Sequence, residues 1–281
     1  MNSNTGKVRP GRIAFALGWF ATALTAIASV AGLLTDSYRD APAMVDQARG
    51  TDLATLLVAV PLLAFSLWQA RHGSTRAGIA VAAGLAYLVY TYAIFAFQVV
   101  VGPLTPLHIA ILGLSTWGLV FWLVELATWA DAVPLRLPRR SSAGLLALLV
   151  IAFGGLWISQ IGQAIASGSL PQSITELGVP TSAVYALDLA FVLPVFVLAV
   201  SWLLQGARFA QALAFGCLIF SVLMALSIFG LFVMQAAQGD LDEPGGAIGF
   251  AIIAVAAAAL ALIGVRSSGP SLVAAGEVAR P

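Results

Sequence analysis

Charge is what this sequence has least of. Acidic and basic residues together make up 9% of its 281 residues, against roughly a quarter in a soluble domain. A chain so poor in charge cannot cover a water-facing surface, so it belongs in a bilayer. Cysteine is nearly missing: Cys217 stands alone in an apolar run. That excludes an internal disulfide, dithiol redox chemistry and Cys-rich metal sites. The two histidines, His72 and His108, are too few and too far apart for a multi-haem scaffold. The one lysine, Lys7, precedes the first apolar run, so no Schiff-base lysine sits inside a bundle. A net charge of +1 offers nothing to nucleic acid. No Walker A loop, HExxH helix, G-x-S-x-G elbow or arginine-rich voltage-sensor helix is present. These absences lean away from an enzyme without closing that class, and neither a metal nor any other cofactor is expected.

Long apolar runs are what the chain does have. A helix crossing the hydrocarbon core needs about 20 mostly apolar residues. Eight segments qualify: 12–34, 51–70, 77–101, 107–129, 143–164, 182–205, 208–236 and 246–265. They are continuous rather than alternating, which argues helices and not a β-barrel. The breaks between them read "RHGSTR", "VGPLTP", "PLRLPRRSS" and "GDLDEPGG". The first run follows "KVRPGR" and imitates a signal peptide. Its apolar part is longer than the 7–15 residues of an ordinary h-region, so we read it as a retained helix. The expected fold is thus an all-α integral membrane protein of eight transmembrane helices.

Basic residues set the orientation. Lys7, Arg9, Arg12, Arg71, Arg76, Arg136, Arg139, Arg140, Arg208, Arg266 and Arg280 fall on one side of an eight-span arrangement, and only Arg39 and Arg49 on the other. Both termini are therefore expected in the cytoplasm of a plasma (inner) membrane. The acids Asp36, Asp40, Asp46, Glu176, Asp240, Asp242 and Glu243 lie on the opposite face.

Two stretches resemble each other: "DLATLLVAVPLLAFSLWQ" from Asp52 and "DLAFVLPVFVLAVSWLLQ" from Asp188. Each opens Asp-Leu-Ala, carries a proline six to nine residues on, and reaches Trp and Gln at its far end. This predicts two parallel four-helix repeats, residues 1–130 and 143–266. They are joined by a cytoplasmic linker at 131–142 and followed by a flexible tail at 267–281. Two halves of even span number share one orientation, unlike an inverted-topology repeat.

An acid inside a span costs about 2.5–3.5 kcal/mol on insertion scales, so Asp188 is expected to face the bundle interior. A cap at Thr181 or Ser182 would place it about two turns into its helix, with Tyr185 on the same face. It either lines a site or holds helices together through a buried hydrogen bond. Asp52 has a plainer alternative, because "GTDL" can simply start a helix capped by Thr51 or Asp52. Further polar groups gather toward the same end of the spans: Gln98, Tyr92, His108, Gln160, Gln163 and Gln235. Together with Asp52, Asp188 and Tyr185 they suggest an outward-opening polar pocket between the repeats. Tyr87, Thr91, Phe95 and Gln98 form one helical stripe, a pattern that usually means core packing. Glu125, between Trp122 and Trp129, is expected to reach interfacial water or a linker arginine from within an aromatic belt. The last span is rich in Gly and Ala, which favours close packing or an oligomer contact.

The segments "RGTDLATLL", "YTYAIFAF" and "VYALDLA" resemble an uncharacterised family of bacterial polytopic membrane proteins, over most of the chain. The resemblance implies an inner-membrane location and treats Asp52, Tyr92 and Asp188 as a set; it implies no chemistry. Three functions remain open. The first is a transporter or binding protein for a small solute, cation or proton. The second is a structural or assembly subunit. The third is an intramembrane enzyme acting on a lipid or isoprenoid through a carboxylic general acid.

Overall fold

Residues 10–129, 135–239 and 244–267 are described in the computed structural model of the chain. All of their regular structure is helical, as long apolar runs in hydrocarbon must be to satisfy their own backbone groups. Nine helices follow in order: α1 Arg12–Leu34, α2 Pro42–Arg71, α3 Thr75–Gln98, α4 Thr105–Trp129, α5 Arg139–Ser167, α6 Gln172–Leu177, α7 Ala183–Gln205, α8 Ala210–Gln238 and α9 Pro244–Arg266. All but the short α6 are long and apolar enough to cross a membrane. Phe20, Leu57, Phe65, Leu123, Ile151, Phe191 and Ile252 stand exposed around the bundle. So large an apolar exterior fits lipid and would not suit water. The chain is a multi-pass α-helical membrane protein.

One span starts well before its expected position. The apolar run suggested 51–70, but α2 begins at Pro42. Its first nine residues, "PAMVDQARG", are polar and invisible to a hydropathy window, while Pro42 at the first helical position suits a helix start. Asp52 is consequently no cap: Ala41 precedes the helix and Asp52 lies inside it. Ser182 does occupy the N-cap of α7 but contributes no side-chain bond there. The Gln98 side chain on α3 instead accepts from the Ala183 N–H at 3.1 Å.

The centre of the bundle is α3. It carries no charge beyond its first turn and is buried nearly all round, from Gly78 to Phe95. It packs against α2, α4, α7 and α8. The second inner helix, α8, touches α2, α3, α7 and α9. At the crossing of α2 and α8, Gly50 faces Gly230 backbone to backbone, and a Cβ on either residue would strike the other's main chain.

Both helices that carry Asp-Leu-Ala contain one π-helical turn, at Thr55–Ala59 and Asp188–Val192. The reason is the proline that follows. Pro61 and Pro194 have no N–H and would collide with the carbonyl four residues back. A wider turn relieves this: Val60 N–H reaches the Thr55 carbonyl and Leu193 N–H reaches that of Asp188, five residues back in each case. Matched on turn and proline, Asp188 corresponds to Thr55, and Asp52 to Tyr185. The Asp-Leu-Ala pairing is offset from this structural register by three residues.

The two ends of the bundle are tied differently. At the end bearing the first helix start, both Glu125 oxygens accept the Gly11 N–H, at 2.9 and 2.8 Å. Glu125 therefore caps α1 while staying partly exposed. Trp122, expected in an interfacial belt, is wholly buried and donates to the Gly78 carbonyl at 2.6 Å. The side chain of Trp129 lies outside the described residues. Part of the linker, 130–134, and the tail, 268–281, also lie outside them, as do Lys7, Arg9, Arg280, Asp240, Asp242 and Glu243. Past the undescribed part of the linker, Leu135 and Leu137 are buried, and Leu137 N–H donates to Gln211 on α8 at 2.7 Å. In α9 the small residues Ala254, Ala257, Ala261 and Gly264 point inward, and bulkier Ile248, Ile252 and Val255 point outward.

Candidate functional site

A cavity of about 300 Å³ lies between α2, α3, α5, α7, α8 and α9, with α6 along one side. That volume is at the lower end for small-molecule sites. Its wall is mostly apolar and aromatic, and Asp188 stands in it. The π-turn places Asp188 where the helix widens, and neighbouring helices supply its partners. Tyr90 on α3 donates to Oδ1 at 2.9 Å, and Trp157 on α5 donates to Oδ2 at 2.8 Å. Both donors are neutral. An ionised carboxylate has about four acceptor directions, and these two bonds leave the rest toward the cavity.

Aromatic rings flank the carboxylate in two groups. Phe153, Trp157 and Tyr185 lie tilted against one another along α5 and α7, with centroid separations of 6.1 and 5.0 Å. Tyr90, Phe220 and Phe196 form the other wall, at 5.9 and 6.3 Å. Toward α6 the lining turns polar with Gln47, Ser173 and Ser182, and Thr51, Thr91 and Ser227 add hydroxyls beside α2. Ser227 donates to Thr51 at 3.1 Å, next to the Gly50–Gly230 crossing.

Asp52 does not line this cavity. It lies in a second, closed cluster between α1, α2, α3 and α4. Only 1% of it is exposed, and it accepts the Tyr38 hydroxyl at 2.6 Å. Gly32 makes room: a Cβ there would strike the Asp52 carboxylate and come within 2.8 Å of the Tyr38 hydroxyl. Ser29 and Thr25, fully buried on α1, lie beside Asp52 and Tyr92. His108 is packed among Tyr38, Tyr92 and Phe95 at centroid distances of 5.0 to 6.4 Å. Among the described residues neither of its ring nitrogens has a hydrogen-bond partner. Tyr38 sits in the loop before α2, where burial, chiefly, and the adjacent Asp52 charge push its phenol well above the ordinary tyrosine range.

The residues singled out in the sequence therefore separate into groups. Asp188 and Tyr185 line the cavity, and Tyr185 donates to Gln160 in a short hydrogen bond at its edge. Asp52, Tyr92 and His108 belong to the closed cluster. Gln98 caps α7. Gln235 is half-buried near the end of α8 and does not line the cavity. Gln163 is exposed and bonds Ser159 within its own helix. Of the α3 stripe, Thr91 and Phe95 line the cavity, while Tyr87 is turned to Thr55 at 2.5 Å. Tyr90 and Trp157 hold the carboxylate and were not singled out. Trp157 lies one turn from Gln160, and a Trp N–H or Tyr O–H inside a span must find an acceptor; that requirement was the available signal.

Among the described residues no group of His, Cys, Asp and Glu is arranged to hold a metal ion. Comparison with known proteins finds no matching family model, no matching characterised protein and no matching solved structure.

Proposed function

We propose that this protein binds a small solute in the Asp188 cavity, as a transporter or binding protein of a bacterial inner membrane. Both termini would be cytoplasmic and the cavity would face outward. The observation that carries the reading is one carboxylate on the wall of an otherwise uncharged, aromatic cavity. Intramembrane acids that face a cavity belong, as a rule, to solute or ion pathways. The prolines and π-turns of α2 and α7 support a functional site between these helices, since π-bulges recur at such sites. The two helices also flank the cavity, so a change of tilt in either would alter its access.

The positive-inside count supports the orientation. A duplication of two parallel four-helix halves is supported by the matched proline and π-turn, now in the register that pairs Asp188 with Thr55. Acid catalysis on a lipid draws less support. Trp157 Nε1 can only donate, so the oxygen facing it serves as an acceptor.

The test is uptake of protons and of inorganic and organic monovalent cations by proteoliposomes carrying the wild type or Asp188→Asn. Uptake of at least one of these by the wild type alone is expected. Equal uptake by both, above empty liposomes, would remove Asp188 from any transport role.

A further inference from the structure

Resting on that reading, we infer that the cavity takes an organic monocation: an ammonium group on a small apolar or aromatic body. Among the described residues lining the cavity, no Lys, Arg, His or Glu accompanies Asp188. Its two hydrogen bonds come from an indole and a phenol. Such donors orient a carboxylate but do not neutralise it. Kept ionised in this setting, a carboxylate needs a counter-charge, the alternative being a proton, and the described lining residues supply no counter-charge.

The rings decide which kind of counter-charge fits. An inorganic cation stripped of water needs a shell of about six oxygens. The cavity instead offers one carboxylate, scattered hydroxyls and eight aromatic side chains. Aromatic faces attract cations that carry their own apolar surface and give up water easily, as ammonium ligands in aromatic cages do. The volume of about 300 Å³ equals roughly ten waters at ~30 Å³ each. A single ring bearing a short aminoalkyl chain is of that size. The hydroxyls of Thr51, Thr91 and Ser227 lie at the polar margin, where they would meet a substituent and not the ammonium.

The experiment uses three probes of one skeleton on the purified full chain in detergent: 2-phenylethylammonium, 2-phenylethanol and phenylacetate. Saturable binding is read by thermal unfolding midpoint and by calorimetry, with empty micelles subtracted. The cation should bind at least tenfold tighter than the alcohol, and the anion should not bind. Asp188→Asn should erase the tenfold preference and leave alcohol binding unchanged. Asp188→Ser, also uncharged but smaller, tests the same point if the Asn variant fails to fold, and should likewise erase the preference. Equal binding of cation and alcohol to the wild type would overturn the organic-cation inference while leaving a solute cavity in place. Tighter binding of phenylacetate would overturn it as well. No saturable binding of any probe would take both the inference and the solute-binding reading down.

Discussion

Replacing Gly50 with alanine adds one methyl group at the place where α2 and α8 touch backbone to backbone. The new Cβ would lie 2.6 Å from the Gly230 carbonyl oxygen and closer still to the Leu231 N–H. Those atoms belong to a helix main chain and cannot rotate away. Ordinary contact requires about 3.5 Å, so the helices must separate by roughly 1 Å. A gap of that size forfeits a quarter to a half of each dispersion contact across it, and overpacking of this kind costs about 1–3 kcal/mol. The Thr51–Ser227 bond, 3.1 Å long beside the crossing, stretches beyond bonding distance and adds about 1 kcal/mol. The total is about 2–4 kcal/mol. Gly230→Ala should behave alike, because its Cβ strikes Gly50. The double variant should cost clearly less than the sum, since the first methyl already opens the space for the second. Unfolding midpoints in detergent give the assay, with Gly155→Ala as control, where a Cβ meets nothing within 4 Å. A Gly50→Ala midpoint equal to that of the control would refute the close crossing.

Other regions allow similar checks. Tyr38→Phe leaves the buried Asp52 carboxylate without its short bond and should cost about 1–3 kcal/mol, seen in the same unfolding assay. Because the Tyr38 phenol is raised in the folded state above its ordinary value of 10.0, its contribution is full below pH 10. It declines above that as the unfolded chain ionises first; a wild-type midpoint that falls more steeply there than that of Tyr38→Phe is the expected sign. Glu125→Ala removes the cap on Gly11 and should cost about 0.5–2 kcal/mol, with faster hydrogen exchange confined to the first turn of α1. Trp122→Phe loses the bond to the Gly78 carbonyl, at about 1 kcal/mol; an unchanged midpoint would mean that bond contributes nothing.

The spans were legible because hydrocarbon demands length and apolarity, and both are local properties. Where α2 begins was not, since its polar first turns stand outside the apolar run and only Pro42 hints at a start. The burial of Asp188 followed from the cost of an acid in lipid; its partners did not, because which turn of α3 meets α7 depends on packing between distant segments. Tyr90 and Thr91 are neighbours in sequence that both reach the cavity, and a stripe drawn through Thr91 alone passed over Tyr90. Asp52 and Asp188 looked like a pair because three letters match. The π-turn imposed by each proline sets the register in space, and it falls three residues away. The Glu125 cap was equally hidden, since it joins residues 114 positions apart.

The central place of α3 has a consequence for how the protein is made. Its buried flank includes Tyr87, Tyr90 and Thr91, and part of it is covered by α8, which is complete only at Gln238. From Gln98 to Gln238 is 140 residues, or roughly 7–28 seconds of synthesis at about 5–20 residues per second. During that interval the flank of α3 that carries Tyr90 and Thr91 lies against lipid or a chaperone, while Tyr87 already has Thr55 of α2 as its partner. A ribosome that stalls between the fourth and seventh helices would thus leave an inserted but unfinished bundle, recognisable to a membrane protease by that uncovered flank.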